Sequence, residues 1–281
     1  MKWIGGRESS NVDDRRGISA GGIVAGGGII GILVYIVNLF MGNGDPAQLP
    51  QLPQQQQEIS AEEKKAEDER AGFVKVTLGY TEDVWNSLFA KAGKKYDEPV
   101  LVLFRNQVES ACGLAGSASG PFYCPSDSHL YIDLSFYQEL QERFHAPGDF
   151  AMAYVVAHEV GHHIQNLLGT ADKMARLRQQ VSEEEYNKYS VKLELQADFF
   201  AGVWAYHDQK TKNILEKGDI EEALTAANAI GDDKLQKEAQ GYVVPDAFTH
   251  GTSQQRMYWF KKGFETGDIN QGDTFNDPSL N

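Results

Sequence analysis

The chain has 281 residues, 41% of them hydrophobic and 23% charged, with a formal net charge of −14. That length and composition describe a globular protein of one or two domains able to bury a core. The acidity argues against nucleic acid or an anionic lipid surface as a partner, because binding phosphate needs a cationic footprint that is missing here.

The first residues are mixed in charge, with Arg15 and Arg16 standing just before an uncharged run from Ile18 to Met41. This run is long enough to cross a bilayer as a helix and longer than the apolar centre of a cleaved signal peptide. Glycines at positions 21, 22, 26, 27 and 28 are tolerated in such a segment, where small residues also permit helix contact. The basic flank predicts that residues 1–17 form a cytoplasmic N-terminus, that 18–41 is a single transmembrane helix, and that the rest of the chain lies outside. Cys112 and Cys124 are the only cysteines. In an oxidising exterior such a pair can close one disulfide, and two free buried thiols are the alternative.

Residues 42–58, GNGDPAQLPQLPQQQQE, contain little that could build a core and read as a linker. A charged helix is predicted from Ile59 to about Arg70, where Ser60 and Glu63 have the spacing of a capping box. Residues 42–72 are therefore linker and charged helix, and the folded domain is expected to span 73–266. Pro99 to Phe104 and Leu130 to Phe136 read as strands. Helical periodicity covers Phe136 to Phe144, Phe150 to Leu168, Glu183 to about His207, Ile220 to Ile230 and Ser253 to Phe264. Asp149, Ser182 and Asp219 are the expected caps, and Gly169 and Gly231 the stops. Residues 267–281, rich in Gly, Asn and Asp, are expected to be a flexible tail. The fold class that follows is α+β, a mainly helical domain with a small sheet packed on the helices.

The chemistry is concentrated in AYVVAHEVGHHIQNLLG, where His158, Glu159 and His162 form HExxH on a predicted helix. Residues four apart share a helix face, so both imidazoles can meet one metal, while Glu159, turned by about 100°, can reach a water beside it. Neutral imidazole suits Zn²⁺, which lowers the pKa of a bound water to about 7, and a neighbouring carboxylate can then take the proton. Two histidines and a glutamate in an otherwise apolar helix would lack partners unless something such as a metal binds them. A catalytic zinc needs a third protein ligand. Glu194 and Asp198 in KLELQADFFAG share a face, and the small Ala197 and Ala201 beside them would allow a close approach of the two helices. Spacing alone equally allows an amphipathic helix with two solvated acids. His163 points away from the ligand face and is kept off the ligand set. His250 could stabilise an oxyanion, or could make only a local hydrogen bond near a helix start.

The blocks CGLAGSASGPFYCPSD, LYIDLSF, HEVGHH, ELQADFFAG and THGTSQQRMYWFKKGF resemble those of a bacterial family of neutral zinc metallopeptidases whose members typically begin with one membrane span. The resemblance implies a zincin-like catalytic domain with one Zn²⁺ per chain, Glu194 as the third ligand and Asp198 as the partner of a ligand histidine. It further implies a metalloendopeptidase that hydrolyses peptide or protein substrates on the outer side of the bacterial cytoplasmic membrane. In proteins of this type a substrate commonly lies along the edge strand before the active helix, so Leu130 to Phe136 could be a substrate-binding edge; a core strand with a half-buried face is an equally good reading, and the two are compatible. Two rivals stand beside this reading. One is a membrane-anchored binding or scaffold protein with a structural or vestigial metal site, in which Glu159 would have no purpose. The other is an intramembrane protease, disfavoured because the apolar run ends far upstream of His158.

Overall fold

A computed structural model describes residues 1–17 and 60–280. The apolar run 18–41 and the linker 42–59 lie outside the described residues, and with them the expected transmembrane helix. Among the described residues no helix is long and apolar enough to cross a membrane.

Residues 1–17, expected to stand apart from the folded domain, are packed into it. Val12–Asp14 (β1) pairs in parallel with Val100–Phe104 (β2), Val12 opposite Leu101 and Asp14 opposite Leu103. Upstream of β1 the chain lies along helix α1, Ala61–Lys91. The Trp3 ring meets Phe73 edge-on at 5.5 Å, and Met1 is buried with its amine 2.6 Å from Asp149. Glu82, buried on α1, receives Arg7 Nη1 at 2.9 Å, Ser9 Oγ at 2.5 Å and Asn11 Nδ2 at 3.0 Å. Gly79 lies mid-helix where a Cβ would sit 2.4 Å from the Arg7 carbonyl oxygen, so the missing side chain lets the two backbones touch. Arg15 and Arg16, the basic flank of the apolar run, are engaged by Asp13 and by Asp14 and Asp68.

The capping box is present as expected: Ser60 Oγ accepts from Glu63 N, and Glu63 Oε2 accepts from Ser60 N. The helix then continues without a break to Lys91, so the charged helix and the start of the domain near Phe73 are one element. Its first turns are exposed, and burial begins at Ala71.

The main sheet has the order β1-β2-β6-β5, with β5 at Phe122–Cys124 and β6 at His129–Asp133. β2 and β6 are parallel, and β5 runs antiparallel to β6. Both faces of β2 are covered, which is why its sequence is an unbroken apolar run. Leu101 and Leu103 face the helices, while Val102 and Phe104 pack with Val108, Cys124 and Tyr131. That second cluster lies beneath a hairpin of β3 (Gln107–Ser110) and β4 (Gly113–Gly116). The Cys112–Cys124 disulfide ties the turn of the hairpin to β5. The strand expected to reach Phe136 stops at Asp133. The Asp133 carboxylate accepts Ser135 N and Asn106 N, a local competition that ends the ladder and turns the chain into α2, Phe136–Glu142.

The remaining helices are α3 (Asp149–Leu167), α4 (Thr170–Arg178), α5 (Glu183–Lys212), α6 (Asp219–Ala229), α7 (Asp232–Gln240) and α8 (Ser253–Thr266). α4 and α7 were not expected; each buries a single residue, so neither carries a strong apolar stripe. Ser182 caps α5 by accepting Glu185 N. Asp149 and Asp219 are the first residues of their helices rather than side-chain caps. Glu222 Oε2 accepts Phe150 N, serving the start of α3 from outside the helix. The expected flexible tail is instead laid along α5. Gln196 Nε2 donates to Gly272 O and Thr274 Oγ1 to Lys192 O, and Leu280 packs against the core, so polar bonds and one apolar contact hold a segment of low hydrophobicity.

Candidate metal centre

α3 is buried around most of its circumference, and its close neighbour on the metal side is α5. The approach depends on Gly161, where a Cβ would lie 2.9 Å from Ala197 Cα and O. Ala197 and Ala201 are both fully buried, as expected of small residues on the facing helix.

Glu194 stands between the two histidines. Its Oε2 is 3.1 Å from His158 Nε2, and its Oε1 is 3.4 Å from His162 Nε2. One donor atom from each of the three lies within 4.8 Å of the others. Tetrahedral ligation at about 2.0–2.1 Å puts neighbouring donors about 3.3 Å apart, close to the two separations between Glu194 and the histidines. Two imidazole nitrogens and one carboxylate are also the donor set that zinc accepts when a fourth position is kept open.

Both imidazoles are oriented from behind. His158 Nδ1 faces Asp198 Oδ1 at 2.8 Å, which leaves the Nε2 lone pair toward Glu194. Asp198, with no exposed surface, also accepts the Tyr154 hydroxyl at 2.5 Å and the Arg256 guanidinium from α8 at 2.8 and 2.9 Å. His162 Nδ1 faces Gln165 Oε1 at 2.9 Å, and the amide of Gln165 is fixed by donating to Leu193 O at 2.7 Å. Sequence reasoning found Asp198 and missed Tyr154, Gln165 and Arg256. Tyr154 and Gln165 were within reach of the periodicity, one turn either side of the ligands. Arg256 carries no local signal, because only the packing of α8 on α5 brings it there.

The electrostatics favour positive charge at this spot. Burial opposes ionisation of His158, yet Asp198 and Glu194 outweigh it and hold the imidazole up at about 10. Burial likewise opposes the Asp198 carboxylate, but Arg256 and His158 bring it down to about 2. Glu194 stays well below the usual carboxylate range against its own burial, because the two histidines lie beside it. An environment that retains a proton on an imidazole is one in which a divalent cation is stabilised, and loading it displaces that proton.

Glu159 behaves differently. It has no hydrogen-bond partner among the described residues, faces the cleft, and has its carboxyl raised by burial. The cleft has a volume of about 570 Å³, and His158, Glu159, His162 and Glu194 all line it. His250 lines it too. Its Nδ1 lies 3.2 Å from Asp232, whose other oxygen accepts the backbone N–H groups of residues 249, 250 and 251. The local hydrogen bond and a position on the cleft wall are therefore both present. His163 is no ligand: its Nε2 donates to Asp97 O and its Nδ1 accepts from Tyr123, tying α3 to β5. A second acidic group, Asp149, Asp219 and Glu222, faces the Met1 amine.

The class defined by this arrangement is an α+β protein with two histidines and a glutamate that could hold a metal ion, set in a cleft. The chain belongs to the family described as "Putative neutral zinc metallopeptidase", whose model matches residues 1–275. It is 49% identical over 284 residues to the "Uncharacterized protein YpfJ" of Escherichia coli K12, covering 98% of this chain and 99% of that protein. It is 43% identical over 195 residues to the "Uncharacterized protein Rv2575" of Mycobacterium tuberculosis H37Rv, covering 66% of this chain and 65% of that one. No solved structure matches.

Proposed function

We propose that the chain is a zinc-dependent endopeptidase that cleaves peptide or protein substrates, with His158, His162 and Glu194 as ligands and Glu159 as the general base. The observation that carries this reading is the convergence of three donors, each within 4.8 Å of the others, beside a carboxylate with no hydrogen-bond partner among the described residues. Zinc, when bound, supplies Lewis acidity toward the scissile carbonyl and lowers the pKa of a water molecule. Glu159 takes the proton of the attacking water and returns it to the leaving amine, a task suited to a carboxyl raised by burial. His250, held by Asp232, donates a hydrogen bond to the negative charge developing on the carbonyl oxygen. Asp198, Tyr154 and Arg256 keep His158 in the tautomer that ligation requires.

The substrate runs along β5. β6, the edge expected from the sequence, is interior, between β2 and β5. β5 is the terminal strand, and Phe122 and Tyr123 line the cleft. An extended peptide can therefore add to it as a further strand. A purely structural metal site would have no use for Glu159 beside an open position, which separates this reading from the scaffold alternative. The oxidised Cys112–Cys124 pair and the apolar run 18–41 support a location at the outer face of the bacterial cytoplasmic membrane.

The test is the full-length Glu159→Gln variant. It should retain about one equivalent of zinc by elemental analysis and lose cleavage of peptides that the wild type hydrolyses. Wild-type protein that binds no zinc, or a variant that cleaves as well as wild type, refutes the assignment.

A further inference from the structure

Val155 lies one helical turn before Glu159 on the same face of α3, and both line the cleft. Phe136 and Phe144 stand across from it, their rings 6.1 Å apart. Pro121 and Phe122, leading into β5, line the same cleft. Phe136 and Val155 keep only 8% and 5% of their surface exposed, so what they present is a wall and not a projecting patch. The charged residues of this stretch are already engaged. Arg143 Nη1 lies 3.5 Å from Glu139 Oε2, and its guanidinium sits 4.9 Å from the Phe144 ring centre.

We infer that this wall is a specificity pocket that takes a bulky apolar side chain, aromatic or leucine-like, beside the peptide bond to be cleaved. The inference rests on the peptidase reading and deepens it. A peptide lying along β5 passes Pro121 and Phe122 before it reaches the metal ligands, so a side chain pointing inward there meets Val155, Phe136 and Phe144. Burying such a side chain, compared with glycine, corresponds to about a 30-fold gain in affinity.

The test uses full-length, zinc-loaded Glu159→Gln protein and fluorescein-labelled octapeptides of Gly, Ser and Ala with one varied position, read by fluorescence polarisation. Phe and Leu peptides should bind about 30-fold more tightly than Gly and Asp peptides. Val155→Trp fills the pocket and should abolish the preference. Phe144→Ala, altering a partly exposed ring with less risk to folding, should reduce it about fivefold. Equal binding across the series, or a preference that survives both variants, overturns the pocket. Wild-type protein incubated with the same peptides keeps the two ideas apart. Cleavage without preference sinks the pocket alone, and preferential binding without cleavage sinks the peptidase reading alone.

Discussion

Gly79→Ala is a substitution whose sign depends on whether the N-terminal segment is docked. In the interior of an isolated helix, alanine is better than glycine by about 1 kcal/mol. In α1 the new Cβ would lie 2.4 Å from the Arg7 carbonyl oxygen and 3.3 Å from Ser9 N. Backbone cannot yield there as a flexible side chain would, so the segment must retreat by about 1 Å. It then loosens the bonds from Arg7 and Ser9 to Glu82 and the one from Arg7 Nη2 to Gly79 O. Overpacking of this kind costs about 1–3 kcal/mol, which outweighs the helical gain and leaves a net loss of about 1 kcal/mol. Two measurements on the full-length protein decide it. Urea denaturation should show a lower midpoint with an unchanged slope. Limited trypsin digestion should cut after Arg7, Arg15 and Arg16 faster than in wild type. A variant that is more stable by about 1 kcal/mol, with those arginines no easier to cut, would refute the docking of residues 1–17 on α1.

Two further predictions concern buried charges. Arg256→Met removes the guanidinium from a carboxylate with no exposed surface and should cost about 3–5 kcal/mol in urea denaturation, whereas Arg256→Met combined with Asp198→Asn should cost much less than the sum of the two single losses. A single-variant loss below about 1 kcal/mol would contradict the pairing described. Burial pushes the Asp208 carboxyl up from 3.8 to about 6, against the pull of Lys212 at 2.7 Å. The folded chain therefore favours the protonated form, and stability falls as pH rises from about 4 through about 6. Asp208→Asn should accordingly raise stability by about 1–2 kcal/mol at pH 8 and leave it nearly unchanged at pH 4, read from urea midpoints at the two values. A gain of equal size at both would show that ionisation of Asp208 is not the cause.

The parts of the molecule that were legible in the sequence are those whose cause is local. HExxH fixed three residues on one helix, and the four-residue step from Glu194 to Asp198 put both acids on one face of another. The geometry then joined each to a histidine. Ser60 with Glu63 and Ser182 were readable as caps because capping involves neighbours in the chain. What the sequence hid is long-range. β1 is a short polar strand whose only partner among the described residues is β2, across a gap of more than eighty residues. β6 reads like an edge strand, and only the antiparallel return of β5 makes it interior. Arg256 looks like any helical surface arginine until α8 packs on α5. The C-terminal segment has the composition of a loose end, yet it is held by polar bonds to α5 that no apolar pattern announces.

Gly17, just after β1, and Ser60, at the start of α1, are both anchored on one folded body. A single passage of residues 18–41 through a bilayer would set these two points in different compartments, and Glu82 would then have to release Arg7, Ser9 and Asn11.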